Sequence, residues 1–206
     1  MKKTNKSILR EISEWVLLII AAFFIASLIQ SELFALTEVN MESMMETLEP
    51  GDKLIMSKLS YSFSEPERGD IIIFLRDEPI NGFIGRASIY LSDITKKLNK
   101  EYRSNRLIKR VIGIPGDTVE IIDNVLYVNG IPQEEKYARV DSFTNTVLNG
   151  AMGKIVIQPN ELFVLGDNRG KSLDSRNFGV IDRSWVEGKA ILRVLPFKKF
   201  GSIDEK

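Results

Sequence analysis

The sequence predicts a mainly β body behind one N-terminal transmembrane helix. Three observations predict it. An apolar run lies close to the N-terminus, many short β-rich runs follow it, and turn signals separate those runs. Strands this short and this evenly spaced favour a barrel- or sandwich-like arrangement of antiparallel sheets.

Composition limits the chemistry. The 206 residues are 44% apolar and 27% charged, enough for a globular domain and an anchor. Lys plus Arg is 28 and Asp plus Glu is 28, so the net charge is zero. That argues against binding nucleic acid by phosphate neutralisation. Cys and His are both absent. Disulfides, thiol catalysis, Ser-His-Asp triads and His- or Cys-ligated metals are therefore excluded. No metal and no cofactor are expected. A hydrolase built from this chain must use Lys, Asp or Glu as its base.

The first element is the anchor. Residues 15–29 are apolar except for Ser27. As a helix they span roughly 22 Å, short of a hydrocarbon core of about 30 Å. Leu33, Phe34, Ala35 and Leu36 extend the run, so the anchor is expected over 15–36. Residues 1–14 contain Lys2, Lys3, Lys6 and Arg10 against Glu11 and Glu14. The positive-inside rule then gives a single-pass protein of the cell membrane, with a cytoplasmic N-terminus and an extracytoplasmic body. A cleavable signal peptide has the same start, but Ala35-Leu36-Thr37 is a poor cleavage site. A buried core helix is the third reading.

The body is expected over 37–206. Strands are expected within residues 70–76, 107–114, 118–123, 125–129, 155–157, 161–166 and 190–196. Pro50-Gly51-Asp52, Arg68-Gly69-Asp70, Pro115-Gly116-Asp117, Asn129-Gly130 and Gly166-Asp167-Asn168 punctuate them. A hairpin is expected to turn at Asp123-Asn124. Residues 79–106 read as an inserted loop with some helix. Ile89, Tyr90, Leu91, Ile94 and Leu98 recur at helical spacing there, and Ser92-Asp93 is a candidate start.

Three stretches could carry chemistry. Ser43 lies fourteen residues past Ile29, among Met41, Met44, Met45 and Leu48 and before a Pro-Gly turn. An apolar wall around a small hydroxyl suits a nucleophile; the same methionines suit an edge dipping into the bilayer interface. Lys109 lies in a strand where Leu107, Lys109 and Val111 share one face and Ile108, Arg110 and Ile112 the other. One of two adjacent cations must therefore point with apolar neighbours. A desolvated lysine loses affinity for its proton and can serve as a base. Without His, this is the most economical way to activate Ser43. Third, residues 166–180 hold Asp167, Asn168, Arg169, Ser172, Asp174, Ser175 and Arg176 between two apolar strands. They form either a polar loop braced by an Asp174–Arg176 pair or a support for the base.

Together these stretches resemble the type I signal peptidases, membrane-anchored serine proteases that use a Ser-Lys dyad. Their serine box, S-M-x-P-T-L and then G-D, is met by Ser43-Met44-Met45-Glu46-Thr47-Leu48 and Gly51-Asp52. Their R-G-D box is met by Arg68-Gly69-Asp70 and the apolar residues after it. The lysine box K-R-V-I-G-x-P-G-D runs without a gap from Lys109 to Asp117. The G-D-N-R-x-x-S-x-D-S-R-x-x-G box runs from Gly166 to Gly179. Glu46 stands where the family has proline, and Met41 stands where some members carry a serine.

The resemblance implies roles by matched position. Ser43 is the expected nucleophile, its own N–H serving the oxyanion, and Lys109 the general base. Ser172 is expected to hydrogen-bond the Lys109 amine, with Asp174 and Arg176 bracing that loop. Val39, Met44, Leu48, Leu107 and Ile108 fall where the family lines shallow pockets, which suit small-x-small cleavage sites. The implied activity is removal of signal peptides from exported pre-proteins. The implied partners are pre-proteins, the lipid bilayer and, as a further candidate, the secretion machinery, with no nucleic acid. Two alternatives stand beside this: another Ser-Lys enzyme such as a self-cleaving repressor, and an inactive homologue that binds signal peptides without cutting.

Overall fold

The structure is a computed structural model and describes residues 5–99, 101, 103–138 and 152–203. It opens with α1 (Asn5–Glu32), followed by β1 (Phe34–Glu38), β2 (Lys53–Ser57), α2 (Ser60–Phe63), β3 (Ile71–Leu75) and α3 (Gly82–Leu98). Then come β4 (Arg106–Gly113), β5 (Thr118–Ile122), β6 (Val125–Val128), β7 (Ile131–Pro132), β8 (Met152–Val156) and β9 (Glu161–Leu165). The chain closes with α4 (Ser175–Phe178), β10 (Ile181–Asp182), β11 (Val186–Leu195) and β12 (Gly201–Ser202). Lys2 and Lys3, Lys100 and Tyr102 of the inserted segment, and the last three residues lie outside the described residues.

The expected β body is present. Eight strands form a curled antiparallel sheet in the order β1-β2-β11-β3-β4-β9-β10, with β12 on β11. Four more form a second sheet in the order β7-β6-β5-β8. The hairpin between β5 and β6 turns at Asp123 and Asn124, both at positive φ. That is the backbone a tight two-residue turn requires, and short polar Asp and Asn adopt it most readily among residues with a side chain.

The anchor differs from the expectation. Arg10–Ile29 has the length and composition of a membrane span, and its side chains are exposed almost all round. The helix nevertheless ends at Glu32. Residues 34–36, expected to prolong the anchor, belong to β1, which pairs with β2 from Phe34↔Ser57 to Glu38↔Lys53. Apolar residues with period 2 satisfied both readings. The unpaired edge of β2 decided between them, since β1 gives its backbone groups partners.

The inserted segment is more regular than expected. In place of a loop with a short helix starting near Ser92, α3 runs for 17 residues from Gly82. Tertiary charge pairing fixes it. Arg86 donates to Glu32 of α1 at 2.7 Å. Asp93 accepts from Arg103 at 3.0 Å and from Arg106 at 2.5 Å. Arg106 also donates to buried Glu187 of β11 at 2.8 Å, and Glu187 faces Lys58 at 3.5 Å. The pairs with Glu32 and Glu187 span 54 and 81 positions, so local pattern could not show them.

Three apolar clusters make the core. Val39, Met44, Leu48, Leu54, Met56, Ile71 and Ile73 form one, with Ile108 packed against it. Leu107 joins Ile72, Phe74, Val111 and Val164 in another. Ile112, Val119, Ile121, Leu126 and Phe163 lie between the two sheets. Strand β4 touches all three clusters, and Lys109 sits in its middle.

Candidate active site

The serine box forms a tight turn. Met44 and Leu48 are buried in the first cluster, which pulls the 3-10 turn Glu42–Met44 against the sheet. Ser43 is buried at its centre. Its carbonyl accepts from the Asn168 N–H at 3.0 Å, and the Asn168 amide donates to the Glu42 carbonyl at 3.0 Å. The loop after β9 therefore holds the serine turn from the other side.

Lys109 enters from β4, where it pairs with Ile72 of β3. It is only 1% exposed. Its Nζ lies 2.7 Å from Ser43 Oγ and donates to the Ile108 carbonyl at 3.0 Å. Among the described residues no carboxylate makes an ion pair with it. Burial pushes its pKa down to about 8, and the Arg176 guanidinium adds to this; the carboxylates of Asp174 and Asp167 oppose it in part.

The neighbouring cation is buried as well, which strand alternation did not anticipate. Arg110 forms two bonds to Asp167, from Nε at 2.9 Å and from Nη2 at 2.7 Å. Its guanidinium stacks 4.0 Å from the centre of the Tyr137 ring. A paired, stacked arginine tolerates burial, whereas burial lowers the pKa of a lysine with no ion-pair partner among the described residues. Asp167 also accepts from Thr47 at 2.6 Å. One carboxylate thus joins the serine box, the lysine box and the loop after β9. Thr47, Arg110 and Tyr137 were not singled out from sequence. The adjacency of Arg110 to Lys109 was a signal for it; nothing local marked Tyr137.

The Asp174–Arg176 brace is present. Arg176 Nε donates to Asp174 at 2.8 Å, and Asp174 accepts from the Gly166 N–H at 3.0 Å. Arg176 also donates to the Arg169 carbonyl at 2.7 Å. The Ser172 hydroxyl is buried beside Gly166 and has no hydrogen-bond partner among the described residues, so the expected bond to Lys109 is not formed here. A β-carbon on Gly166 would stand 2.2 Å from Ser172 Oγ and 2.5 Å from the Ser43 carbonyl oxygen.

A cleft of about 470 Å³ opens over Ser43. Val39, Met41, Met44 and Ile108 line it on the body side, with residues 36–38 of β1; Asp93, Lys96 and Lys97 of α3 close the other side. Leu48 and Leu107, also expected at the pockets, do not line this cleft and are buried in core clusters instead. Met44 is buried and does not reach lipid as a methionine-rich edge would; Met41 is exposed. Among the described residues no group of acidic side chains could hold a metal.

The other Gly-Asp signatures are structural. Asp52 accepts from the Glu49 N–H, Asp70 from the Glu67 N–H and the Tyr61 hydroxyl, and Asp117 from Arg68 at 2.8 Å. Each carboxylate closes its own turn, and Asp117 ties the R-G-D box to the lysine box.

Residues 12–195 match the family described as signal peptidase, peptidase S26. A signal peptidase I of Bacillus licheniformis is 34% identical, covering 98% of this chain and 98% of its own length. A signal peptidase IB of Staphylococcus aureus is 32% identical over 93% of each chain. A crystal structure of a signal peptidase I from Enterococcus faecalis is 31% identical, covers 61% of this chain and 97% of its own, and superposes with a TM-score of 0.40. With the match spanning nearly the whole chain, this protein belongs to the signal peptidase family of serine peptidases, peptidase S26.

Proposed function

We propose that this chain is a membrane-anchored endopeptidase that removes signal peptides from exported pre-proteins, with Ser43 as nucleophile and Lys109 as general base. The observation that carries the reading is the buried Lys109 Nζ, 2.7 Å from Ser43 Oγ, in a chain without histidine.

In the working state Lys109 is a neutral amine. It takes the Ser43 proton as Oγ attacks the scissile carbonyl carbon. The carbonyl oxygen becomes an oxyanion facing the Ser43 N–H. The Lys109 ammonium then gives its proton to the departing amine of the mature protein, leaving the signal peptide as an ester on Ser43. The neutral amine next activates water, which attacks the ester, and Ser43 recovers its proton. Ser172 steadies the amine during these transfers. Asp174 and Arg176 hold the loop that carries Ser172.

The cleft supports a small-x-small cleavage site. The substrate extends along residues 36–41, next to the free edge of β1, and its backbone adds to that edge. Val39, Met44 and Ile108, backed by Leu48 and Leu107, leave shallow pockets that reject large side chains by overlap. Small residues at the first and third positions before the cut fit. Helix α1 crosses the bilayer with its N-terminus in the cytoplasm, and the body meets pre-proteins emerging from the secretion machinery.

The test is incubation of the full-length protein in detergent with a pre-protein, followed by mass spectrometry of both products. Cleavage after a small-x-small site, lost in Ser43→Ala, is the expected result. Binding without cleavage would establish the inactive homologue instead.

A further inference from the structure

Helix α3 is amphipathic in an inverted sense. Its charged residues, Arg86, Asp93, Lys96 and Lys97, occupy the half that faces α1, the body and the cleft. The opposite half carries Ile84, Ser88, Leu91, Thr95 and Leu98, one stripe by the 3.6-residue repeat. Ile84 is 82% exposed, Leu91 61% and Leu98 78%. From Gly82 to Thr95 no exposed residue of the helix is charged. A helix facing water would place its charges on this side and its large apolar residues on the other.

We propose that this outward face of α3 is a lipid-docking surface, seating the body on the bilayer beside α1. The proposal rests on the reading of α1 as a membrane span. Two observations point to lipid. The Arg86–Glu32 pair fastens the first turns of α3 to the last turn of α1, where the apolar span ends. The pair sets the start of α3 beside the end of the apolar span, whose Leu28 and Ile29 are themselves exposed. Its size also disfavours a second copy of this chain. Three large apolar side chains fall short of the roughly 600 Å² per partner that the smallest stable interfaces bury. A helix lying at the headgroup level needs no more than such a stripe.

The consequence concerns the cleft. Asp93, Lys96 and Lys97 wall it from α3. Docking α3 on lipid fixes the height of that wall above the membrane, and with it the height at which a bilayer-held substrate meets Ser43.

The natural absence of cysteine allows single-cysteine probes in the full-length protein. Fluorophores are attached at Ile20→Cys in α1, at Leu91→Cys and Leu98→Cys in α3, and at Lys154→Cys on exposed β8. The proteins are reconstituted in vesicles of phosphatidylethanolamine and phosphatidylglycerol. Lipid-borne nitroxide should quench the probes at 20, 91 and 98, and aqueous iodide should quench only the probe at 154. Lipid quenching at 20 with iodide quenching at 91 and 98 would overturn the docking surface and leave the anchor standing. Iodide quenching at 20 would overturn the anchor, and the docking surface with it. Cross-linking between 91 positions of two copies would replace lipid by a dimer.

Activity supplies a second readout. Leu91→Glu combined with Leu98→Glu should cut membrane-inserted pre-protein roughly tenfold more slowly, by loss of effective concentration. Cleavage of a soluble peptide should stay within about twofold of wild type, the bound expected when no catalytic contact is lost. Equal rates on both substrates, or equal losses, would overturn the proposal.

Discussion

Lys109 and Ser43 are 66 positions apart in the chain, yet the lysine amine lies 2.7 Å from the serine hydroxyl oxygen. Neighbouring elements hold the pair together. The sheet presents the lysine on β4, the core clamps Met44 and Leu48, and Asp167 ties both segments to the loop after β9.

If these two residues act as a unit, Ser43→Ala and Lys109→Ala should each reduce cleavage to near background without unfolding the protein. The double variant should be no worse than either single one, because removal of either partner already abolishes the shared step. Single-turnover assays on the three variants check this. Substantial turnover by a folded Lys109→Ala protein would sink the dyad.

The acylation rate should rise with pH through about 8, as Lys109 loses its proton. Stability should move with it. The folded state lowers the lysine pKa from 10.5, so the unfolded chain binds more protons between about 8 and 10.5. The destabilisation is complete below about 8, of order 3 kcal/mol, and disappears as pH rises toward the unfolded value. Lys109→Met should flatten both profiles. A wild-type rate independent of pH from 6 to 9, with chemistry limiting, would count against a lysine base.

Ser172→Ala should cost little stability, since its buried hydroxyl has no partner among the described residues to lose. Turnover should fall by more than tenfold if that hydroxyl positions the amine during reaction. The apparent pKa of the rate profile should shift in this variant, and Ser172→Thr should restore part of the activity. A loss of stability with an unchanged rate per folded molecule would assign Ser172 a packing role.

Gly166→Ala should damage the site without touching either reacting residue. The new methyl would meet the Ser43 carbonyl at 2.5 Å, and backbone cannot step aside as a flexible side chain can. A loss of about 1–3 kcal/mol is expected, with a large fall in kcat. Wild-type kinetics in a stable Gly166→Ala protein would show that the serine turn is looser than its hydrogen bonds imply.

Restoring the family proline should not help this chain. Glu46 has φ of +84°, and proline is confined near −65°. Glu46→Pro should therefore destabilise by more than about 1 kcal/mol, whereas Glu46→Gly should stay within about 1 kcal/mol of wild type. Urea unfolding in detergent makes the comparison. A more stable and more active Glu46→Pro protein would mean that the turn takes another shape.

The strands of β3, β4, β5, β6, β9 and β11 were legible because apolar residues repeat between Gly, Pro and Asp turns. The hairpin at Asp123-Asn124 was legible from its turn chemistry alone. β1 and β2 were not. Phe34 to Glu38 alternates weakly and sits against an apolar helix, so only its pairing with β2 separates strand from anchor. The 17-residue span of α3 was hidden in the same way, by charge partners on α1 and β4.

The sequence by itself determined which chemistries were impossible, through the absence of His and Cys, and which side chains remained to do the work. It also determined the apolar run near the N-terminus and the turns that punctuate the sheets. Only the tertiary structure decided that Lys109 and Arg110 are both buried, one with its pKa lowered by desolvation and the other paired with Asp167 and stacked on Tyr137. Only it set the wall of the cleft and the outward apolar stripe of α3. The physical reason is that burial and charge pairing depend on neighbours brought together by the fold, whereas turn and strand preferences are carried by a few adjacent residues.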